Sequence, residues 1–104
     1  MNTLETALVS TGFLFAQFGW SHAPAGDYGV WADDGANDLE ADDIHVEHVI
    51  EGTIDYFTRD PSLTPKTTIE AALDGVVAYY LNSIQYEEDT GYIHYEWVYQ
   101  RGQD

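Results

Sequence analysis

The chain has 104 residues, with nineteen Asp and Glu against three Lys and Arg and a formal net charge of −16. A hydrophobic content of 44%, with 14% aromatic, is too rich for a disordered chain and sufficient for a single core spanning residues 1–104. The charge argues against direct binding of nucleic acid phosphates, no apolar run reaches the ~18 residues that cross a bilayer, and the absence of cysteine removes disulfides and thiolate metal sites.

The opening residues, Met1-Asn2-Thr3-Leu4-Glu5, lack the basic start of a signal peptide. Thr3 can cap a helix, and Leu4, Ala7, Leu8, Thr11, Phe15 and Phe18 then form one apolar stripe at helical spacing, interrupted only by Gly12. Gly19 to Gly26, with Pro24, reads as a loop, and Asp27 to Ala32 as a short strand. Asp33 to Asp43 holds six acids with Gly35 and Asn37 and reads as a turn-rich loop between two strands.

Ile44 to Tyr56 alternates without a break: Ile44, Val46, His48, Ile50, Gly52, Ile54 and Tyr56 on one face, His45, Glu47, Val49, Glu51, Thr53 and Asp55 on the other. A period of two over that length predicts the longest strand of the protein, residues 44–57, with Ile50 and Ile54 buried. Pro61, which has no N–H to donate, stops the ladder. Thr64-Pro65 opens the next helix with proline in its first turn, and Thr67-Thr68-Ile69-Glu70 offers an alternative capping box. Ile69, Ala72, Leu73, Val76 and Tyr80 carry that helix to about Leu81. Ile84 to Glu88 alternates as a strand, Glu88-Asp89-Thr90-Gly91 is a tight turn, and Tyr92 to Gln100 is the last strand, with Ile93, Tyr95, Trp97 and Tyr99 on one face. The order α-β-β-α-β-β predicts an α+β domain, a mainly antiparallel sheet packed against two helices.

No constellation for catalysis emerges. His45 and His48 stand three apart on a strand, point to opposite faces and cannot share a metal, so surface or cross-strand pairing is their reading. No serine sits in a nucleophile elbow, and there is no phosphate-binding glycine loop. In Asp33-Asp34-Gly35 the glycine comes too early for a calcium loop, so the acidic segment is read as solvated. The chain is therefore expected to be no enzyme and to hold no cofactor or metal. The tyrosine and tryptophan residues of the last hairpin suit core and interface together, because each tolerates one wet edge.

Several phrases in sequence resemble a known family. They are Tyr28-Gly29-Val30-Trp31, the acidic Asn37-Asp38-Leu39-Glu40-Ala41-Asp42, and Asp55-Tyr56-Phe57-Thr58-Arg59-Asp60-Pro61. Ile69-Glu70-Ala71-Ala72-Leu73, Ile84-Gln85-Tyr86-Glu87 and Tyr92-Ile93-His94-Tyr95-Glu96-Trp97-Val98-Tyr99 follow. Their order across nearly the whole chain resembles the small tail-completion or tail-terminator proteins of long-tailed phages and prophages. The apolar crowding of Phe13, Leu14, Phe15 and Phe18 and the more negative charge depart from that pattern.

The resemblance implies a virion structural protein, assembled in the host cytoplasm. It forms a ring, often a hexamer, at the head-proximal end of the tail, with the tail tube protein and the head–tail connector protein as partners and no catalytic residues. The interface or lumen candidates are then Asp33, Asp34, Asp38, Glu40, Asp42 and Asp43 on the acidic loop, and Tyr92, Tyr95, Trp97 and Tyr99 on the last strand. A lumen of carboxylates repels DNA and lets it pass. Copies carrying −16 each repel one another, so salt is expected to favour the ring. Neutralising Asp33, Asp34, Asp38 and Asp42 is expected to leave the subunit folded, since solvated charges contribute little. The competing reading is a stand-alone acidic protein that mimics DNA's charge or regulates a basic partner.

Overall fold

The structure, a computed structural model, describes residues 2–41 and 45–102, with side chains for 2–35 and 49–102. Helix α1 (Thr3–Ser10) is capped by Asn2, not by Thr3: the Asn2 Oδ1 accepts the Glu5 backbone N–H at 2.7 Å. The helix ends far short of Phe18 because Gly12 turns the chain with φ at +79°. The expected stripe therefore splits, with Leu4, Ala7 and Leu8 buried on the helix and the phenylalanines beyond it.

Phe15 instead opens a short strand, β1 (Phe15–Gln17), which lies parallel to β2 (Tyr28–Ala41), with Phe15 beside Gly29. A Cβ at Gly29 would overlap the Phe15 ring, so glycine is what lets that ring lie flat across β2. Phe13 and Phe15 both pack on Tyr56, with ring centroids 5.1 and 5.6 Å away.

Strand β2 does not stop at Ala32. It runs to Ala41, pairing with β3 (His45–Thr58) from Tyr28 opposite Phe57 to Ala41 opposite His45, with a register shift between Asp33 and Gly35. The acidic segment as far as Ala41 is thus a strand, not a turn-rich loop, while Asp42 and Asp43 lie outside the described residues. Backbone ladder bonds do not depend on side-chain polarity, and the strongly alternating β3 supplies the template. β3 falls where the alternation puts it, although β2 equals it at 14 residues. Ile54 is fully buried, whereas Ile50 is half-exposed, because Ile50 pairs near the end of the last strand, opposite Arg101.

Helix α2 (Thr64–Leu73) carries Pro65 in its first turn as expected, but it stops at Leu73, well before Leu81. Gly75, at φ +79°, closes it, and β4 (Ala78–Glu87) begins three residues later. Val76 and Tyr80 match helical spacing, yet Tyr79 and Leu81 also alternate. The free ladder of β5 (Tyr92–Gly102) decides between the two periods. Gly91 at φ +77° makes the β4–β5 turn.

The fold class is α+β as expected, with β1 added to the predicted order. The described strands make a five-stranded sheet ordered β1-β2-β3-β5-β4, antiparallel except at β1. Leu4 and Leu8 of α1 and Ile69 and Leu73 of α2 join Trp31, Ile54, Tyr56, Tyr95, Trp97 and Tyr99 in one core. Both helices therefore cover the same sheet face, and the Trp97 indole N–H donates to Glu70 of α2 at 3.0 Å.

Candidate functional site

The acids singled out by composition separate sharply in space. Asp33 faces the helices and is held by Arg101, whose Nε and Nη2 donate at 3.1 and 2.8 Å, and by the Tyr99 hydroxyl at 2.6 Å. Arg101 holds the Asp33 carboxyl below the usual carboxylate range, with help from Tyr99 and against burial. Burial, followed by Asp33 itself, pushes the Tyr99 phenol up. Gly52 makes this cluster possible, because a Cβ there would strike the Tyr99 ring and the Ala32 carbonyl. Asp33 is therefore tied into the subunit by Arg101 and Tyr99 and is not a simply solvated acid. Asp34, one residue on, is exposed. Asp38 and Glu40 occupy β2 positions opposite His48 and Val46, while Asp42 and Asp43 lie outside the described residues.

The aromatic candidates are also corrected. Tyr95, Trp97 and Tyr99 are core residues of the subunit and offer no surface to a neighbour, because their face of β5 lies under the helices. Tyr92 is buried on the opposite face, where Arg59 lies 4.0 Å above its ring and its hydroxyl donates to the Gly26 carbonyl at 2.8 Å. Beside it, His94 stacks on Phe57 at 4.2 Å and bonds Asp55 at 2.7 Å, with Glu87 3.8 Å from its other nitrogen. The Asp55 hydrogen bond, then the charges of Asp55, Glu87 and Glu96, raise the His94 pKa against its burial. Among the described residues no group of three or more His, Asp or Glu could hold a metal.

All three cations are engaged within the subunit. Lys66 pairs with Glu70 at 2.9 Å, Arg101 with Asp33, and Arg59 donates to the Thr90 and Ala25 carbonyls while covering Tyr92. The helix-free face presents Glu51, Asp55, Glu87 and Glu96 from its strand positions and no Lys or Arg among them.

Much of the exposed apolar surface gathers at the two outer strands of the sheet. Leu14, Phe18 and Trp20 flank the β1 edge, and Tyr80, Ile84 and Tyr86 line the β4 edge. These two edges are opposite ends of the sheet. Phe18 is 73% exposed and holds φ at +68°, a region that non-glycine residues seldom occupy. Its N–H donates to the Trp31 carbonyl at 2.8 Å, which fixes it at the rim. A signal existed in the sequence: no Asp, Glu, Lys or Arg occurs from Thr6 to Gly26 or from Gly75 to Tyr86. Counting charge over the whole chain hid those two neutral stretches.

No family model and no curated protein matches this sequence. Among solved structures, a chain of the virion of a native gene transfer agent (GTA) particle is similar, with a TM-score of 0.55 at 14% identity over 93% of this chain and 81% of that one. At that identity the likeness is one of fold: the arrangement of helices and sheet is one that a virion chain also uses.

Proposed function

We propose that this chain is a virion structural protein of a phage-like particle. It acts as a tail-terminator or tail-completion subunit, forming a ring at the head-proximal end of the tail tube and joining the tube to the head–tail connector. The observation that carries this reading is the fold shared, over nearly the whole chain, with a chain of a gene transfer agent virion. The order of sequence phrases from Tyr28 to Tyr99 supports the finer assignment to the tail terminus. The helix-free face supports passage of DNA: its strand positions carry Glu51, Asp55, Glu87 and Glu96, and its one guanidinium, Arg59 just beyond β3, is engaged with Tyr92 and two carbonyls, so the excess of carboxylates repels phosphates. The role is one of assembly, with no chemical step and no cofactor.

The stand-alone acidic reading accounts for the charge equally well but not for the shared fold. The test is deletion of the gene in a producing strain, followed by electron microscopy of the particles. The expected outcome is filled heads and separate tails, restored by the gene in trans, with tagged protein found at the head–tail junction. Normal joined particles from the deletion strain would overturn the reading.

A further inference from the structure

Among the described residues β4 and β1 are the outermost strands of the sheet, and they are unlike. β4 is long, with Tyr80, Ile84 and Tyr86 exposed; β1 is short, flanked by Leu14, Phe18 and Trp20. β1 lies wholly, and β4 all but its last residue Glu87, in the two stretches without Asp, Glu, Lys or Arg, Thr6–Gly26 and Gly75–Tyr86, in a chain of net charge −16. With every Lys and Arg engaged inside the subunit, one copy has little to offer the acids of another. Close approach of copies is least repulsive where both surfaces are neutral, and these are the edges.

Strand direction adds a geometric constraint. β4 is antiparallel to β5, β5 to β3, β3 to β2, and β1 is parallel to β2. β4 and β1 therefore run in opposite senses at opposite ends of the sheet. Repeating the subunit by rotation about an axis along the strands brings β4 of one copy against β1 of the next, antiparallel, about 4.8 Å apart. The ladder then continues from copy to copy, and each apolar edge is covered by the other kind. Pairing β4 with β4 would leave Leu14, Phe18 and Trp20 bare in every copy.

We infer that copies of this chain join edge to edge, β4 of one to β1 of the next, as a heterologous contact that propagates one continuous sheet around a ring. This rests on the reading of the chain as an oligomer of itself, and not on its position in a tail.

The protein has no cysteine, so introduced thiols report on this contact alone. Gln17→Cys and Gln85→Cys place one thiol on each edge at exposed positions. The two variants are mixed in 1 M salt, where screening falls to about 3 Å, and joined with a short bis-maleimide. The expected result is a 17–85 product in about tenfold excess over either like pair, and a ladder of multimers from the doubly substituted chain. Ile84→Glu and Phe18→Asp should each abolish the ladder while melting as the parent does, because both side chains are exposed.

Predominance of 85–85 products, or a protein that stays monomeric by light scattering at every salt concentration, would overturn the inference. So would multimers that survive both edge substitutions. A cross-link of the expected kind in a protein absent from the head–tail junction would instead overturn the tail assignment and leave the edge contact standing.

Discussion

The two halves of the β2–β3 hairpin share one backbone pattern and differ in everything else. Near its base, β5 pairs with β3 from Val49 to Thr58 and the helices close over Trp31, Ile54 and Tyr56. Beyond Val49, out to the Ala41–His45 pair, β2 alone pairs with β3 among the described residues, and the molecule reaches 50 Å along one axis against 27 and 25 Å on the others. The buried residues of the base have a third strand beside them and a covering layer above, and a two-stranded ribbon by itself is marginal in water. The neighbours Asp33 and Asp34 stand at this boundary, one bound by Arg101 and Tyr99, the other in solvent.

The comparison breaks most severely at Ile54. Ile54→Asp, a charge placed without a partner in the core, should cost about 4–5 kcal/mol and abolish the urea transition at ordinary temperature. Ile50→Asp, at a half-exposed rim position, should cost about 1–2 kcal/mol by the same denaturation. Equal losses at the two positions would show that the rim is as buried as the centre.

Gly52 and Gly35 make a second contrast. Gly52→Ala drives a methyl into the Tyr99 ring and the Ala32 carbonyl and should cost about 2–3 kcal/mol. Gly35 has nothing within 4 Å of its missing Cβ, and Gly35→Ala should change stability by less than about 1 kcal/mol. Near-identical midpoints would mean that Tyr99 can leave its slot freely.

Asp33→Asn should lose about 2 kcal/mol at pH 7, because Arg101 loses its carboxylate and Tyr99 a charged acceptor. Asp34→Asn should stay within about 0.5 kcal/mol of the parent. The folded-state pKa of Asp33 is lowered from 3.8, so its contribution is present above that value and lost as pH falls through the folded one. The gap between parent and Asp33→Asn should therefore begin to narrow below about pH 3.8 and close only as pH falls through the lowered folded-state pKa, and a gap unchanged by acid would contradict the pairing.

The smallest effect belongs to His94, on the helix-free face among Asp55, Glu87 and Glu96. Its folded-state pKa is raised from 6.5, so its contribution is complete below the unfolded value and is lost as pH rises through the folded one. His94→Gln should cost about 1 kcal/mol near pH 6 and less as pH climbs. A cost that grows with pH would mean that His94 is held neutral.

Much of the fold was legible because it is local. The long strand expected at 44–57, Pro65 in a first helical turn and Gly91 in a tight turn follow from a few adjacent residues, and the structure has the strand at His45–Thr58 and both of the others. The failures share a cause as well. Val76 and Tyr80 satisfied a helical period, Asp33 to Asp43 looked like a loop although the chain is strand as far as Ala41, and Phe15 and Phe18 looked like helix, because a local window cannot see a partner strand. The candidate surfaces were less legible still. Tyr95, Trp97 and Tyr99 are as aromatic as Tyr80 and Tyr86, and only the helices above β5 separate core from rim.

By itself, then, the sequence determined the periods, the turns and the sign of the charge. Backbone dihedral preferences and side-chain parity act within a few residues and need no tertiary partner. The tertiary structure decided which strands became neighbours, and with that which acid is an anchor and which is solvated. Asp33 meets Tyr99 and Arg101 across 66 and 68 residues of chain, a proximity set by the packing of β2, β3 and β5 around one core. The same strand order put the two neutral stretches at opposite edges of the sheet, because a surface exists only once the chain has closed around its interior.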